Sequence, residues 1–158
     1  MRTIKGDLLQ MADNGDFDAI VHGCNCFNVM GGGIARQIKE RYLQAFSADS
    51  RTKAGDRSKL GTVTTALAQA KDGKYFVIVN AYTQFDMAAP GEDVFEYDSF
   101  QKILDTLADT PMATGTIGFP MIGMGLAGGD SKRILTMIRE FDKKIHRKGG
   151  SVTMVEFG

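Results

Sequence analysis

The stretch from Ala19 to Phe46 constrains this 158-residue chain more than any other. Ala19, Ile20 and Val21 form an apolar run, and a polar cluster of His22, Cys24, Asn25, Cys26 and Asn28 follows it. Three consecutive glycines come next, Gly31, Gly32 and Gly33, and a helical pattern begins at once. Ile34, Ile38, Tyr42 and Ala45 recur at steps of three and four, one face of an amphipathic helix over 33–46. The order is strand, polar loop, triple glycine, helix. Glycines carry no Cβ, so a loop built from them closes tightly around a ligand. A helix starting right behind them points free N–H groups and the positive end of its dipole into the loop. The pattern predicts an anion site, with phosphate as the expected anion; the plain alternative is a tight turn. It is neither of the two common phosphate fingerprints. Ile34, Ala35 and Arg36 break the dinucleotide spacing GxGxxG, and no Gly-Lys-Ser/Thr occurs in the chain.

The rest of the chain repeats this grammar. Residues 2–5, 18–21, 62–68, 75–80, 115–119 and 152–157 read as strands. Helical patterns cover 8–12, 94–108 and 131–148, and the polar segment 47–60 reads as a loop or short helix. The run Tyr75-Phe76-Val77-Ile78-Val79 is continuously apolar, as a strand covered on both faces is. A second glycine-rich stretch, Pro120 to Asp130, separates the fifth strand from the last helix. Strands alternate with helices, no repeat occurs and no linker divides the chain. The expectation is one α/β domain over 1–158 with a central, largely parallel or mixed sheet. Ligands of such sheets sit at the carboxyl ends of the strands. Two glycine loops there, each opening into a helix N-terminus, suit a diphosphate gripped from both sides.

Charge and cysteine content narrow the partners. Lys plus Arg and Asp plus Glu both number 19, so the chain has no general pull on nucleic acid or a membrane surface, and neither is an expected partner. No apolar stretch is long enough to span a bilayer, and the start, Met1 to Asp7, lacks the core of a signal peptide. Cys24 and Cys26, the only cysteines, offer no disulfide framework, which fits a reducing cytoplasm. His22, Cys24 and Cys26 alternate, but three candidate ligands without a CxxC knuckle do not make a zinc site, and no metal or cofactor is expected. A cysteine-phosphatase loop needs arginine six positions after the cysteine; Met30 and Gly32 stand there instead. The expected state of both thiols is buried and inert.

Taken together, Lys5-Gly6-Asp7-Leu8, the string from His22 to Gln37, Gly61-Thr62-Val63, Asn80 to Gln84 and Pro120 to Asp130 resemble a macro domain, the ADP-ribose-binding module. The string HGCNCFNVMGGGIARQ resembles most closely the branch of small fungal phosphatases acting on ADP-ribose 1″-phosphate, and more loosely the terminal ADP-ribose hydrolases. The resemblance implies a three-layer α/β/α sandwich. It implies that Asp7 accepts a hydrogen bond from the adenine amino group with the Leu8 N–H beside it, and that Asn25 meets the distal ribose. Gly31, Gly32, Gly33, Ile34 and Ala35 are then the first phosphate loop, and Ile122, Gly123, Met124, Gly125 and Leu126 the second.

The departures bear on chemistry. Macro domains that remove mono-ADP-ribose from proteins carry an aspartate two positions after the glycine run, where this chain has Ala35. The lysine nucleophile of the terminal hydrolases falls near Thr83-Gln84, and its partner aspartate at Ala127. What remains is His22, which matches the histidine of the phosphatase branch, with Asp130 as acid, base or orienter, or simply as a helix cap. The first expectation is a phosphoric monoester hydrolase that converts ADP-ribose 1″-phosphate to ADP-ribose and phosphate. A non-catalytic reader of ADP-ribose is the second. The third is a hydrolase that frees ADP-ribose from modified macromolecules, protein or nucleic acid.

Overall fold

The computed structural model describes residues 1–89, 91–125 and 127–158. In chain order it contains β1 (Arg2–Gly6), α1 (Leu8–Asp13), β2 (Ala19–Cys24), α2 (Gly33–Arg41), α3 (Leu43–Ser50), β3 (Val63–Gln69), β4 (Tyr75–Tyr82), α4 (Tyr97–Ala108), β5 (Thr116–Phe119), α5 (Ser131–His146) and β6 (Ser151–Phe157). The six strands form one sheet in the order β1-β6-β5-β2-β4-β3. Every neighbouring pair is parallel except β3 and β4. No described helix is long and apolar enough to cross a membrane.

Strand alternation divides the core into two layers. Ala19 and Val21 of β2 and Val79 and Ala81 of β4 face α4 and α5, whose Phe100, Leu104, Ile134, Ile138 and Ile145 are buried against them. Ile20 and Ile78 face the other way, onto Leu9 of α1, Ile38 of α2 and Ala45 of α3. The result is the expected α/β/α sandwich. β4 lies between β2 and β3, and its stretch from Phe76 to Val79, packed on both faces, is apolar throughout.

One expectation needs correcting: residues 33–46 are two helices, not one. Tyr42 leaves the helical region at φ −132° and ψ 78°. Its ring is buried edge-on against Phe76, with centroids 5.6 Å apart. The bend lets α2 and α3 both lie on the sheet, and Ile38, Tyr42 and Ala45 all stay buried. α3 then continues to Ser50, into the segment read as a loop or short helix.

Candidate functional site

β2 and β5 pair at only two positions, Ala19 with Ile117 and Ile20 with Gly118. Beyond Ile20 the two strands part, and a cavity of about 350 Å³ opens at their carboxyl ends. Its wall comes from three segments: the last residues of β2 and the loop beyond, from Gly23 to Ala35, then Thr83 to Ala88 after β4, and residues between Pro120 and Ala127 after β5. That size lies at the lower end of the range for small-molecule sites.

All of Gly31, Gly32, Gly33, Ile34 and Ala35 line the cavity. Gly32 is the N-cap of α2, so no side chain occupies the first-turn N–H groups, and no acidic residue stands in that turn. These donors and the positive end of the helix dipole are left for an anion. Packing does not require the glycines here. A Cβ on Gly31 would make one ordinary contact with Val29, and one on Gly33 would meet nothing within 4 Å, although Gly33 has a left-handed φ of +55°. The second glycine loop divides in two. A Cβ on Gly123 would strike the Phe95 ring at 2.5 Å and one on Gly129 the Gly123 carbonyl at 2.6 Å, so these two glycines pack the loop against the protein. Gly125 is different: it lines the cavity and its Cβ would stand in open space.

The remaining expected ligand residues are distributed as follows. Asn25 lines the cavity, and its amide braces its own loop, accepting from the Phe27 N–H at 2.9 Å and donating to the Val29 carbonyl at 3.0 Å. Ile122 and Gly123 line the cavity, whereas Met124 packs against the α4–α5 core instead. Leu126 lies outside the described residues. Asp7 caps α1 through Oδ1, which accepts from the Leu9 and Gln10 N–H groups, and Leu8 is buried in the core. Neither lines this cavity, although both follow the carboxyl end of β1, which lies at the same end of the parallel strands as the carboxyl ends of β2 and β5. Val29, Thr83, Gln84, Met87 and Ala88 also line the cavity, as do Gly23, Cys24, Pro120, Met121 and Ala127, and none of these was an expected ligand residue. Val29 and Thr83-Gln84 lie within the stretches that carry the family resemblance, whereas Met87 and Ala88 join the cavity through the sheet order, which sets which strand ends adjoin.

The two residues expected to be catalytic are placed elsewhere. β2 runs on to Cys24, so His22 leaves the strand on the same side as Ile20, towards α2 and α3, and is fully buried. Its Nε2 lies 2.6 Å from Asn80 Oδ1. The Asn80 amide nitrogen donates to the Ala45 carbonyl and to Thr64, which leaves Oδ1 as acceptor and Nε2–H as donor. Burial pulls the imidazole pKa down to about 4, so it is neutral near pH 7. Cys24 Sγ stands 3.7 Å and 3.9 Å from the two ring nitrogens. Distances that similar put the sulfur beside the ring rather than on one lone pair, and burial raises the thiol pKa well above its usual value. The thiol, imidazole and carboxamide form a satisfied polar stack, not an activated nucleophile. Asp130 is exposed and outside the cavity; its Oδ1 caps α5 by accepting from the Arg133 N–H at 3.2 Å. Among the described lining residues there is no carboxylate, amine, guanidinium or imidazole.

Comparison with known proteins gives this geometry a context. The Macro domain family matches residues 21–138. An uncharacterized 17.5 kDa protein of the tk-vs intergenic region of Enterobacteria phage T4 is 31% identical over 149 residues, 92% of each chain. The DNA ADP-ribosyl glycohydrolase of Mycobacterium tuberculosis is 28% identical over 125 residues, which cover 79% of this chain but only 34% of that larger protein. Similarity to the ADP-ribose 1″-phosphate phosphatase of Aspergillus oryzae, 38% identity, is confined to 47 residues, 30% of this chain and 22% of that one. Among solved structures, the macrodomain of Mycobacterium tuberculosis DarG superposes with a TM-score of 0.71 at 21% identity, covering 98% of this chain and 95% of that one.

Proposed function

The chain belongs to the macro domain family, and from that premise we propose that it binds ADP-ribose in the cavity between β2 and β5, residues 1–158 acting as a single domain. The observation that carries this reading is the uncapped first turn of α2, whose N–H groups open onto a cavity bordered by glycines that packing does not require. The diphosphate sits between Gly31–Ala35 and the loop around Gly125. The distal ribose lies by Asn25, and the adenine extends towards Asp7 and Leu8 at the end of β1.

A second reading adds hydrolysis of an ADP-ribose derivative, and the 79% coverage by the DNA ADP-ribosyl glycohydrolase supports it. With no acid or base at neutral pH among the described lining residues, the ligand's own phosphates, rather than His22 or Asp130, take the proton of the attacking water as the bond to the departing phosphate or macromolecular group breaks, and that proton passes to the leaving group or to solvent. The α2 N–H groups stabilise the developing charge. ADP-ribose 1″-phosphate and ADP-ribosylated macromolecules are the two substrate classes to compare.

Calorimetric titration with ADP-ribose tests the binding. Gly125→Glu places a carboxylate in the open space beside the phosphates, and affinity falls by at least about tenfold with no change in the unfolding midpoint. Wild-type protein that fails to bind ADP-ribose overturns the reading. Phosphate release from ADP-ribose 1″-phosphate and ADP-ribose release from a modified target then separate the two hydrolytic activities from each other and from binding alone.

A further inference from the structure

Lys59 is buried, only 7% exposed, yet lies outside the cavity lining. Its ammonium donates to Asn28 Oδ1 at 2.7 Å and to Thr52 Oγ1 at 2.9 Å, and stands 5.2 Å from the centre of the Tyr82 ring. The Asn28 amide nitrogen donates in turn to the Thr52 carbonyl at 2.8 Å. Asn28 has a left-handed φ of 61°, a conformation asparagine tolerates better than most residues. Burying an ammonium is costly unless its donors are met, and an apolar side chain of similar size would be cheaper. What the cation does here is tie the segment 49–59 to the tip of the loop that carries Asn25 and Val29. The Gly55 N–H adds a second tie, to the Cys26 carbonyl at 2.7 Å.

We propose that Lys59 is a positioning residue which, through Asn28 and Thr52, holds the Asn25–Val29 wall of the cavity in register for the distal ribose. The assignment of that wall to the ribose rests on the ADP-ribose reading above; the clamp itself rests on the hydrogen bonds. The phosphate cradle at Gly31–Ala35 gets its donors from α2 and does not depend on Lys59. Loosening the wall therefore weakens a ligand that reaches the ribose and spares one that stops at the diphosphate.

Titrations with ADP-ribose and with ADP, on wild type, Lys59→Met, Asn28→Gly and the double variant, test this. Lys59→Met keeps the apolar stem without the charge, and Asn28→Gly keeps the left-handed backbone without the amide. Each is expected to lose about tenfold in ADP-ribose affinity while ADP affinity stays within about twofold. The double variant is expected to be no worse than either single one, because both cut the same clamp. In the free protein, amide exchange at Cys26 and Phe27 accelerates in both variants. Equal losses for both nucleotides, no loss for either, or additive effects overturn the proposal. If wild type binds neither nucleotide, the ADP-ribose reading fails, and the exchange result alone decides the clamp: faster exchange upholds it and unchanged exchange ends it.

Discussion

Which side of a strand a residue leaves from decides whether it meets the ligand or props up the fold. Gly23 and His22 are neighbours on β2. A Cβ on Gly23 would press on Thr83 and Ile122 of the cavity wall, while His22 points to the opposite layer and bonds to Asn80. This buried imidazole makes stability depend on pH. Its folded pKa of about 4 lies below the ordinary 6.5, so between those values the unfolded chain holds a proton that the folded chain does not. Stability is complete above pH 6.5 and falls on acidification, by about 1.4 kcal/mol per pH unit. Urea unfolding is expected to show a loss of about 2 kcal/mol between pH 6.5 and 5. His22→Gln keeps a donor for Asn80 and removes the His22 share of the slope. Burial raises the Asp49 pKa, which acts in the opposite sense, but it is common to both proteins, so their difference isolates His22. Parallel profiles for the two proteins would contradict the assignment.

At the level of elements, two helices follow glycine loops and use their N-termini differently. Asp130 caps α5 from within, whereas α2 begins on Gly32 and leaves its first turn open. Asp130→Ala is expected to lower stability by about 1 kcal/mol, and Asp130→Asn, an equally good cap, by a few tenths at most. Thermal unfolding of the two variants checks this; a silent alanine variant would remove the cap from the account. Much of this level was legible in the sequence. Ile134, Ile138, Phe141 and Ile145 recur at helical spacing and form the buried face of α5; Tyr97, Phe100, Leu104 and Leu107 recur in the same way on α4, where Tyr97 alone is only partly buried. The break at Tyr42 was not legible, because nothing local ends the helix there; the ring's contact with Phe76 does, and that contact joins distant parts of the chain. The side on which His22 lies was hidden for a related reason. Residues 18–21 carry the apolar strand signal, but pairing with β4 extends β2 through polar residues to Cys24.

At the level of the molecule, the cavity exists because β2 and β5 pair briefly and then diverge, with β4 next to β2 on the other side. The glycines announced the site. The wall from Thr83 to Ala88 became part of it only through the strand order, which no local pattern encodes. The α/β alternation was readable, and the short turn after β3 makes β3 and β4 antiparallel neighbours; that this pair lies at the edge of the sheet beyond β2 was not readable. The central claim is that an ADP-ribose diphosphate lies on the open first turn of α2. Titration of ¹⁵N-labelled protein with ADP-ribose, followed by amide chemical shifts, tests it most directly. Saturable shifts concentrated at Gly33, Ile34, Ala35, Ile122, Gly123 and Gly125 are expected. Unmoved amides at α2, or shifts centred on the groove between α4 and α5 that Lys143, Lys144 and Arg147 line together with Asp105 and Glu140, would contradict it.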